Sequence, residues 1–158
     1  MTSTSDKNLR HAALVTGSSQ GIGAAIARGL AQDGWSLGLS YHDGYDRRVH
    51  SEPSDVELLA VELRERGSRV ALLPGDLEDV RVPPVLVDRC RAELGTLNGL
   101  VMSHCESVDS SLLSTTVESF DRHYAVNVRA TWLLIKAFAE QVGPGGGYEE
   151  ALAAAPPS

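Results

Sequence analysis

The chain has 158 residues, a formal net charge of -7, ordinary apolar content and two cysteines, Cys90 and Cys105. This length predicts one domain with its own core, and the negative charge argues against nucleic acid or an anionic membrane as the main partner. The cysteines fit neither a zinc spacing nor a disulfide framework, so we expect no metal site and a reducing, cytoplasmic setting. No apolar run has membrane-spanning length, and residues 1–10 show no signal peptide, so we expect no membrane partner.

The first elements are a strand over residues 11–16 and a helix over residues 21–33, joined by a glycine-rich turn. The turn from Thr16 to Gly23 has Gly-x-x-x-Gly-x-Gly spacing. Glycines let a ligand approach the backbone closely, and a helix start offers free N–H groups and partial positive charge to an anion. The turn therefore predicts a phosphate site. The alternative is a strand–turn–helix unit whose glycines serve packing only.

Helical spacing predicts which face of this first helix packs on a sheet. The residues at i, i+3, i+4, i+7 and i+8 are Ile22, Ala25, Ile26, Gly29 and Leu30. They form one stripe along the helix, so we expect them to be buried.

The middle of the chain continues the alternation of strands and helices. A second strand is predicted over residues 35–41, followed by a polar loop over residues 42–53. Ser54 is placed to cap a second helix, with Glu57 completing a capping box, and Val56, Leu59, Ala60 and Leu63 form its apolar stripe. The third strand covers residues 69–73.

A third helix is predicted from Pro83 or Pro84 to about Leu94, because proline is tolerated in a first helical turn. A fourth strand then covers residues 97–103, and a long helix covers residues 116–141. The centre of that helix, residues 130–139, is strongly apolar, so we expect it to be well buried. The Gly-, Ala- and Pro-rich tail, residues 142–158, and the lead-in, residues 1–10, are predicted to be disordered.

Strands that alternate with helices predict an α/β fold with a parallel sheet and helices on both faces. Right-handed crossovers and the glycine turn after the first strand favour the order 3-2-1-4, a Rossmann-like doubly wound sheet. Ligands of such sheets bind outside the carboxyl ends of the strands, where the order reverses. That edge is expected to gather the glycine turn, Asp76, the end of the fourth strand and the start of the long helix.

These motifs resemble the N-terminal, cofactor-binding half of the classical short-chain dehydrogenases/reductases. Thr16-Gly17-x-x-x-Gly21-Ile22-Gly23 looks like their cofactor signature, and Asp76-Leu77 falls where the family has an acidic residue that binds the adenine ring. Asn127 matches the asparagine of the catalytic tetrad. The resemblance covers about residues 11–141, which we expect to form the dinucleotide-binding domain. It implies NADP or NAD as cofactor and hydride transfer between a small carbonyl and an alcohol.

The sequence departs from the family pattern in two places. The Asn-Asn-Ala-Gly motif after the fourth strand is replaced by Met102-Ser103-His104-Cys105. The serine and the Tyr-x-x-x-Lys that complete the tetrad are absent: no tyrosine is followed by lysine four residues later, and the only serine after Asn127 is Ser158. A phenol needs a nearby cation to become an acid or base near neutral pH. We therefore expect a catalytically incomplete chain, and the change of composition in the tail favours a truncated or frame-shifted gene product.

The choice between NADP and NAD depends on the end of the second strand. An acidic residue there binds the 2′-hydroxyl of NAD, whereas arginine accommodates the 2′-phosphate of NADP. Tyr41 and His42 occupy the expected acidic position, and Arg47 and Arg48 follow in the loop. NADP is therefore preferred over NAD. The alternative for the two arginines is a solvated pair without a role in binding.

The predicted site residues fall into two groups. One catalytic residue, Asn127, is expected, with a tolerated polar side chain in a helix as its alternative. The predicted cofactor-binding residues are Gly17, Ser18, Ser19, Gln20, Gly21, Ile22, Gly23, Tyr41, His42, Arg47, Asp76, Leu77, Ser103 and His104. His104 and Cys105 invite comparison with a catalytic Cys–His pair, but neighbours at a strand end point to opposite faces. We therefore expect Cys105 to be buried and inert.

Three functions follow from these observations. The first is an oxidoreductase of the short-chain family, and the second is a dinucleotide-binding module without catalysis. The third is a non-functional fragment, since an edge strand and an uncovered long helix would expose apolar surface. Family members often dimerise through the helix at residues 115–141, so a homo-oligomer is also expected.

Overall fold

The computed structural model describes residues 11–50 and 55–142. The predictions for residues 1–10, Ser54 and residues 143–158 lie outside the described residues. The elements in chain order are β1 (Ala12–Thr16), α1 (Gly21–Gln32), β2 (Ser36–Tyr41), α2 (Asp43–His50), α3 (Val56–Glu65), β3 (Val70–Pro74), α4 (Val82–Leu94), β4 (Gly99–Met102), α5 (Val117–Tyr124), a π-helical segment (Ala125–Ala130) and α6 (Thr131–Val142).

The four strands form one parallel sheet in the order β3-β2-β1-β4, which confirms the predicted topology. Val15 of β1 lies opposite Leu39 of β2 and Val101 of β4. The order reverses between β1 and β4, because the chain leaves β3 at one edge and returns beside β1. All strand carboxyl ends therefore lie at one edge of the sheet, where a ligand cleft is expected.

Alternate residues of β1 feed two apolar layers, as the period of a strand requires. Ala12 and Leu14 pack with α4, the π-helical segment and α6. Ala13 and Val15 pack with α1 and α3 on the opposite face. All five residues of β1 are buried, so this strand is the centre of the domain.

The buried face of α1 differs from the predicted one. Gly23, Ala24, Ala27 and Ala31 face the sheet, whereas Ile22, Ala25 and Gly29 are exposed and Ile26 and Leu30 are half-buried. Both sets have helical spacing, so periodicity alone could not choose between them. The small residues face the sheet because they let the start of α1 approach the backbone of the glycine turn closely.

The predicted polar loop at residues 42–53 contains helix α2. The backbone N–H groups of Tyr45 and Asp46 donate to the His42 carbonyl oxygen, which starts the helix. Two acidic residues in its first turn, Asp43 and Asp46, favour the helix through its dipole. The polar composition hid this helix. The next helix, α3, has its N-cap at Asp55, and its predicted stripe of Val56, Leu59, Ala60 and Leu63 is buried as expected.

The long predicted helix is divided into α5, the π-helical segment and α6. Thr116 caps its start, because its side chain accepts a hydrogen bond from the backbone N–H of Ser119. The expectation that residues 130–139 are well buried is wrong in part. Ala130 and Leu134 are buried, but Trp132 is 59% exposed and Ile135 is 46% exposed. Apolar residues occur on all sides of this helix, and the sheet covers only one side.

Within residues 11–50 and 55–142, no helix combines the length and the apolar character that crossing a bilayer requires.

Candidate functional site

A cleft of about 450 Å³ opens at the carboxyl edge of the sheet. Its walls come from the turn after β1, the end of β2 with α2, the loop after β3, the loop after β4 and the start of the long helix. The predicted site residues that line it are Gly17, Ser19, Gln20, Gly21, Ile22, Tyr41, His42, Asp76, Leu77, Ser103 and His104. The structure thus brings eleven of the fifteen predicted residues into one cleft.

The glycine turn forms the floor of this cleft. Gly17 and Gly21 have positive φ values, 66° and 55°, which favour glycine. A Cβ at Gly23 would overlap the Gly17 carbonyl oxygen, so this third glycine is required by the close approach of α1 to the turn. Gln20 is the N-cap of α1 and makes no side-chain capping hydrogen bond. The first N–H groups of α1 consequently face the cleft without a cap, as an anion site requires.

Two predicted residues shape the turn from behind. The backbone N–H and the hydroxyl of Ser18 both donate to the Ser40 carbonyl oxygen at 3.0 Å. Ser18 is buried and, like Gly23, does not line the cleft. These contacts join the turn to the end of β2 and hold its backbone in place.

His104 stands against the turn at the end of β4. A Cβ at Gly17 would lie 2.7 Å from the His104 backbone, so the two loops touch. The His104 ring lies between two hydroxyls, with Nδ1 2.6 Å from Thr16 Oγ1 and Nε2 3.4 Å from Thr131 Oγ1. Burial lowers the pKa of His104. The His104 ring therefore links β1, β4 and α6 at the inner end of the cleft.

Asp76 and His42 face each other across the outer end of the cleft. Asp76 Oδ1 accepts a hydrogen bond from the Glu78 backbone at 2.9 Å and lies 3.8 Å from His42 Nδ1. Tyr41 lies beside them, and burial is the main reason why its pKa is raised. A carboxylate, an imidazole and a phenol thus surround the end of β2.

Asn127 does not line the cleft but fixes one of its walls. Its side-chain oxygen accepts from the Glu106 N–H at 2.8 Å, and its Nδ2 donates to the Glu106 carbonyl oxygen at 2.9 Å. The Glu106 side chain is only 4% exposed. It accepts two hydrogen bonds from Arg48, at 3.1 and 3.3 Å. Asn127 therefore holds the loop after β4 from the π-helical segment, and Arg48 holds it from α2.

Arg47, which was predicted to bind the cofactor, does not line the cleft, whereas Arg48 does. Consecutive helical residues project about 100° apart, so Arg48 can face the cleft while Arg47 points away from it. The side-chain direction could not be predicted while this segment was taken for a loop.

Asp46 is a buried acid at the floor of the cleft. It is 4% exposed, and its Oδ1 lies 3.4 Å from the Gln20 amide nitrogen that donates to it. Its other oxygen, Oδ2, has no hydrogen-bond partner among the described residues. Buried polar atoms usually have partners, so this oxygen marks a place where a hydrogen-bond donor would be accepted.

Cys105 corrects a second prediction. We expected it to be buried, but it is exposed and lines the cleft. The chain leaves the sheet directly after β4, so the alternation of a strand no longer applies at this position. Its sulfur lies 4.0 Å from the Tyr45 hydroxyl. Cys90 is buried, beneath Gly38 of β2.

Comparison with known proteins places this cleft in a family. The sequence model described as short chain dehydrogenase matches residues 11–147. The chain belongs to the short-chain dehydrogenase family. It is 31% identical over 135 residues to the short-chain dehydrogenase/reductase eriH of Hericium erinaceus, covering 82% of this chain and 50% of that protein. This short-chain dehydrogenase chain thus spans about half the length of the curated relatives it matches.

Solved structures of the family agree with the fold. A short-chain dehydrogenase of Burkholderia cenocepacia in complex with NADP matches with a TM-score of 0.75 and 32% identity, covering 86% of this chain and 52% of that chain. A blue fluorescent protein from a metagenomic library in complex with NADPH matches with a TM-score of 0.72 and 30% identity, covering 84% and 52%. The chain therefore has the Rossmann-like sheet of an oxidoreductase family.

Sequence reasoning missed several residues of the cleft. They are Ser40, Tyr45, Asp46, Arg48, Gly75, Glu78, Glu106, Ser107, Arg122 and Val126. Gly75 and Glu78 flank the predicted pair Asp76-Leu77 in the sequence, so their place in the cleft could have been predicted from that motif. Arg122 lies 3.1 Å from Glu78, 44 residues away in the chain, and no local pattern marks a contact of that kind.

Proposed function

We propose that this short-chain dehydrogenase chain binds a nicotinamide dinucleotide in the cleft, NADP in preference to NAD, as the cofactor-binding half of an oxidoreductase. The observation that carries the proposal is the uncapped start of α1 at a glycine turn that is held open by Ser18 and Gly23. NADP and NADPH are bound by the structural neighbours named above.

The residues of the cleft suggest how the dinucleotide lies. Its phosphates would rest on the turn from Gly17 to Gly23, where backbone N–H groups can donate hydrogen bonds to an anion. Asp76 and Leu77 would meet the adenine, while Tyr41 and His42 would meet its ribose. Ser103 and His104 would flank the nicotinamide end. When bound, the cofactor supplies the hydride acceptor or donor of the family's carbonyl–alcohol chemistry.

Catalysis is the weaker part of the proposal. Asn127 matches the tetrad, but its side chain is occupied by the Glu106 backbone, and this sequence has no Tyr-x-x-x-Lys. We expect the 158-residue chain to bind cofactor without reducing small carbonyl compounds. NADPH oxidation followed by absorbance across an aldehyde and ketone panel checks this, and turnover above a protein-free control would contradict it.

Binding is tested by the shift of the thermal unfolding midpoint and by calorimetric titration with NADP⁺. A ligand at 100 times its dissociation constant stabilises a folded protein by about 2.7 kcal/mol. The Asp76→Ala variant should lose about tenfold in affinity, the usual effect of removing one charged hydrogen-bond partner. The Asp79→Ala variant is the matched control, because Asp79 pairs with Arg81 outside the cleft. Absence of any shift in the unaltered chain would overturn the proposal and favour a non-functional fragment.

A homo-oligomer is proposed through the long helix. Exposed apolar side chains recur along it in one stripe, formed by Val117, Phe120, Tyr124, Val128, Trp132 and Ile135. Exposed apolar surface of this extent is typical of an interface. Light scattering coupled to size exclusion should give at least a dimer, and Trp132→Glu should shift it to monomer. A monomeric unaltered chain would contradict this.

The free cysteines are consistent with the proposed cytoplasmic location.

A further inference from the structure

Over residues 43–48, helix α2 buries no apolar side chain, and its buried residue is the acid Asp46. The helix has eight residues, and helices of this length are marginal in water without supporting contacts. It starts at the His42 carbonyl oxygen, and Asp46 accepts a hydrogen bond from Gln20 at 3.4 Å. These contacts are polar, so this stretch of α2 can move without uncovering a buried apolar side chain of its own.

Side chains of α2 also reach the loop after β4. Arg48 donates two hydrogen bonds to Glu106, at 3.1 and 3.3 Å, and we call this pair the latch. The Tyr45 hydroxyl lies 4.0 Å from the Cys105 sulfur, and the Arg48 guanidinium lies 5.7 Å from the centre of the Tyr45 ring. The Glu106 side chain is buried and its backbone is held by Asn127, whereas Arg48 is 45% exposed. Glu106 is therefore the fixed half of the latch, and Arg48 is the half that can move with α2.

The latch lies across the glycine turn. In the sheet, β1 is placed between β2 and β4, so α2, which follows β2, and the loop after β4 approach the turn from opposite sides. Gln20 of the turn contacts Asp46 of α2, and the backbone of His104 lies against Gly17. Both residues of the latch line the cleft. The latch therefore joins two walls of the cleft across the turn that forms its floor.

A dinucleotide with its phosphates on the turn would extend to both sides of β1, because such ligands bind across the point where the strand order reverses. It would therefore have to pass the place where the latch joins the two walls. We infer that α2 is a movable lid, which the Arg48–Glu106 latch holds closed, and that a dinucleotide reaches the glycine turn only after the latch opens. This inference rests on the proposed dinucleotide binding. Because only the open form binds, the apparent dissociation constant is that of the open form divided by the open fraction.

The test compares four proteins: the unaltered 158-residue chain, Arg48→Gln, Glu106→Gln and Arg47→Gln. Arg48→Gln and Glu106→Gln both weaken the latch, and they change the charge of the cleft in opposite directions. Arg47→Gln is the matched control, because it removes the same charge from the same helix at a residue that does not line the cleft. Calorimetric titration with NADP⁺ measures the dissociation constant. Amide hydrogen exchange of Tyr45 and Asp46, whose N–H groups make the first hydrogen bonds of α2, measures the detachment of α2 without any nucleotide.

Arg48→Gln and Glu106→Gln should both bind NADP⁺ more tightly than the unaltered chain, by up to about tenfold, which corresponds to one charged hydrogen bond. Exchange at Tyr45 and Asp46 should be faster in both, whereas Arg47→Gln should show neither effect. Weaker binding in either latch variant, which an effect of charge alone predicts for Arg48→Gln, would overturn the inference while the proposed binding stands. Unchanged exchange in both latch variants would overturn it as well. If none of the four proteins binds NADP⁺, the proposed function fails and the inference with it.

Discussion

The two sides of the sheet differ in how completely their strands are buried. In β1 every residue is buried, and in β2 five of six are, whereas β4 contains none that is fully buried. The β1–α1–β2 unit is covered on both faces and joined by strands on both sides. The β4 side presents an edge strand, and the apolar stripe on the long helix is uncovered. The side that carries the glycine turn is therefore closely packed, while the side that carries Asn127 exposes apolar surface.

The difference shows how each side keeps its shape. At the glycine turn, backbone groups pack directly on backbone groups, because Gly17 and Gly23 have no side chains at these close contacts. On the β4 side, the loop at Glu106 is held by side chains, namely Asn127 and Arg48. Backbone packing tolerates no added atom, whereas a side-chain contact can be exchanged at moderate cost. Substitutions at the glycine turn should therefore cost more stability than substitutions on the β4 side.

The largest effect is expected at the glycine turn. Gly23→Ala places a methyl group on the Gly17 carbonyl oxygen, so we expect a loss of more than about 4 kcal/mol of stability or a failure to fold. Gly29→Ala lies on the same helix in open space and should stabilise the protein by about 0.5–1 kcal/mol through helix propensity. Urea unfolding checks both. Equal effects in the two variants would show that the turn is not tightly packed.

The next effect compares neighbours on α6. Leu134 is fully buried, while Ile135 is about half exposed. Leu134→Ala should cost about 3 kcal/mol of the free energy of unfolding, since it removes buried methyl groups and leaves a cavity. Ile135→Ala should cost less than about 1 kcal/mol in the monomer. Chemical denaturation at low protein concentration measures both, and a large cost at Ile135 would mean that a second copy covers it.

The sheet and its cleft could be predicted from sequence because local patterns determine them. The alternation of strands and helices, right-handed crossovers and the Gly17–Gly23 turn predicted the order 3-2-1-4 that the structure shows. The place of Asp76 followed from topology, since parallel strands end at one edge. These features depend on residues close together in the chain.

Other features depend on contacts that no local pattern records. Helix α2 was hidden, because Asp43–His50 has few apolar residues and is held by its acidic first turn and by the His42 carbonyl oxygen. The burial of Glu106 depends on Arg48, 58 residues away. The buried face of α1 was misassigned, because periodicity gave two stripes and only packing on Gly17 distinguishes them.

A smaller effect is expected at the wall held by Asn127. Asn127→Asp loses the donor to the Glu106 carbonyl oxygen and should cost about 1–2 kcal/mol, because a carbonyl oxygen loses its partner and faces a carboxylate. Asn98→Asp is the matched control, since Asn98 only accepts, from the Ala12 N–H at 3.1 Å. Denaturant unfolding compares the two, and hydrogen exchange of the Glu106 amide should rise only in the first. An unchanged exchange rate would remove the role of Asn127 in holding this loop.

The smallest effect is in the pH dependence of stability. Burial lowers the pKa of His104, so between its folded and unfolded pKa values the unfolded chain binds a proton that the folded chain does not. The contribution of His104 to the free energy of unfolding is therefore full above about pH 6.5, the ordinary pKa of histidine. This contribution decreases as the pH falls below that value. In His104→Gln this acid-side decrease should be shallower. Urea midpoints across this range check it, and His11→Gln, which removes a histidine that stacks on Trp35, is the matched control.

The two cysteines have one practical consequence. Burial raises the pKa of the Cys90 thiol to about 12, and its sulfur is packed under Gly38, so it stays protonated and shielded in the folded protein. Cys105 is exposed in the cleft. A thiol-reactive dye added to the native chain should consequently label one position. The label would sit at the mouth of the cleft, where its emission can report occupancy without any engineered residue.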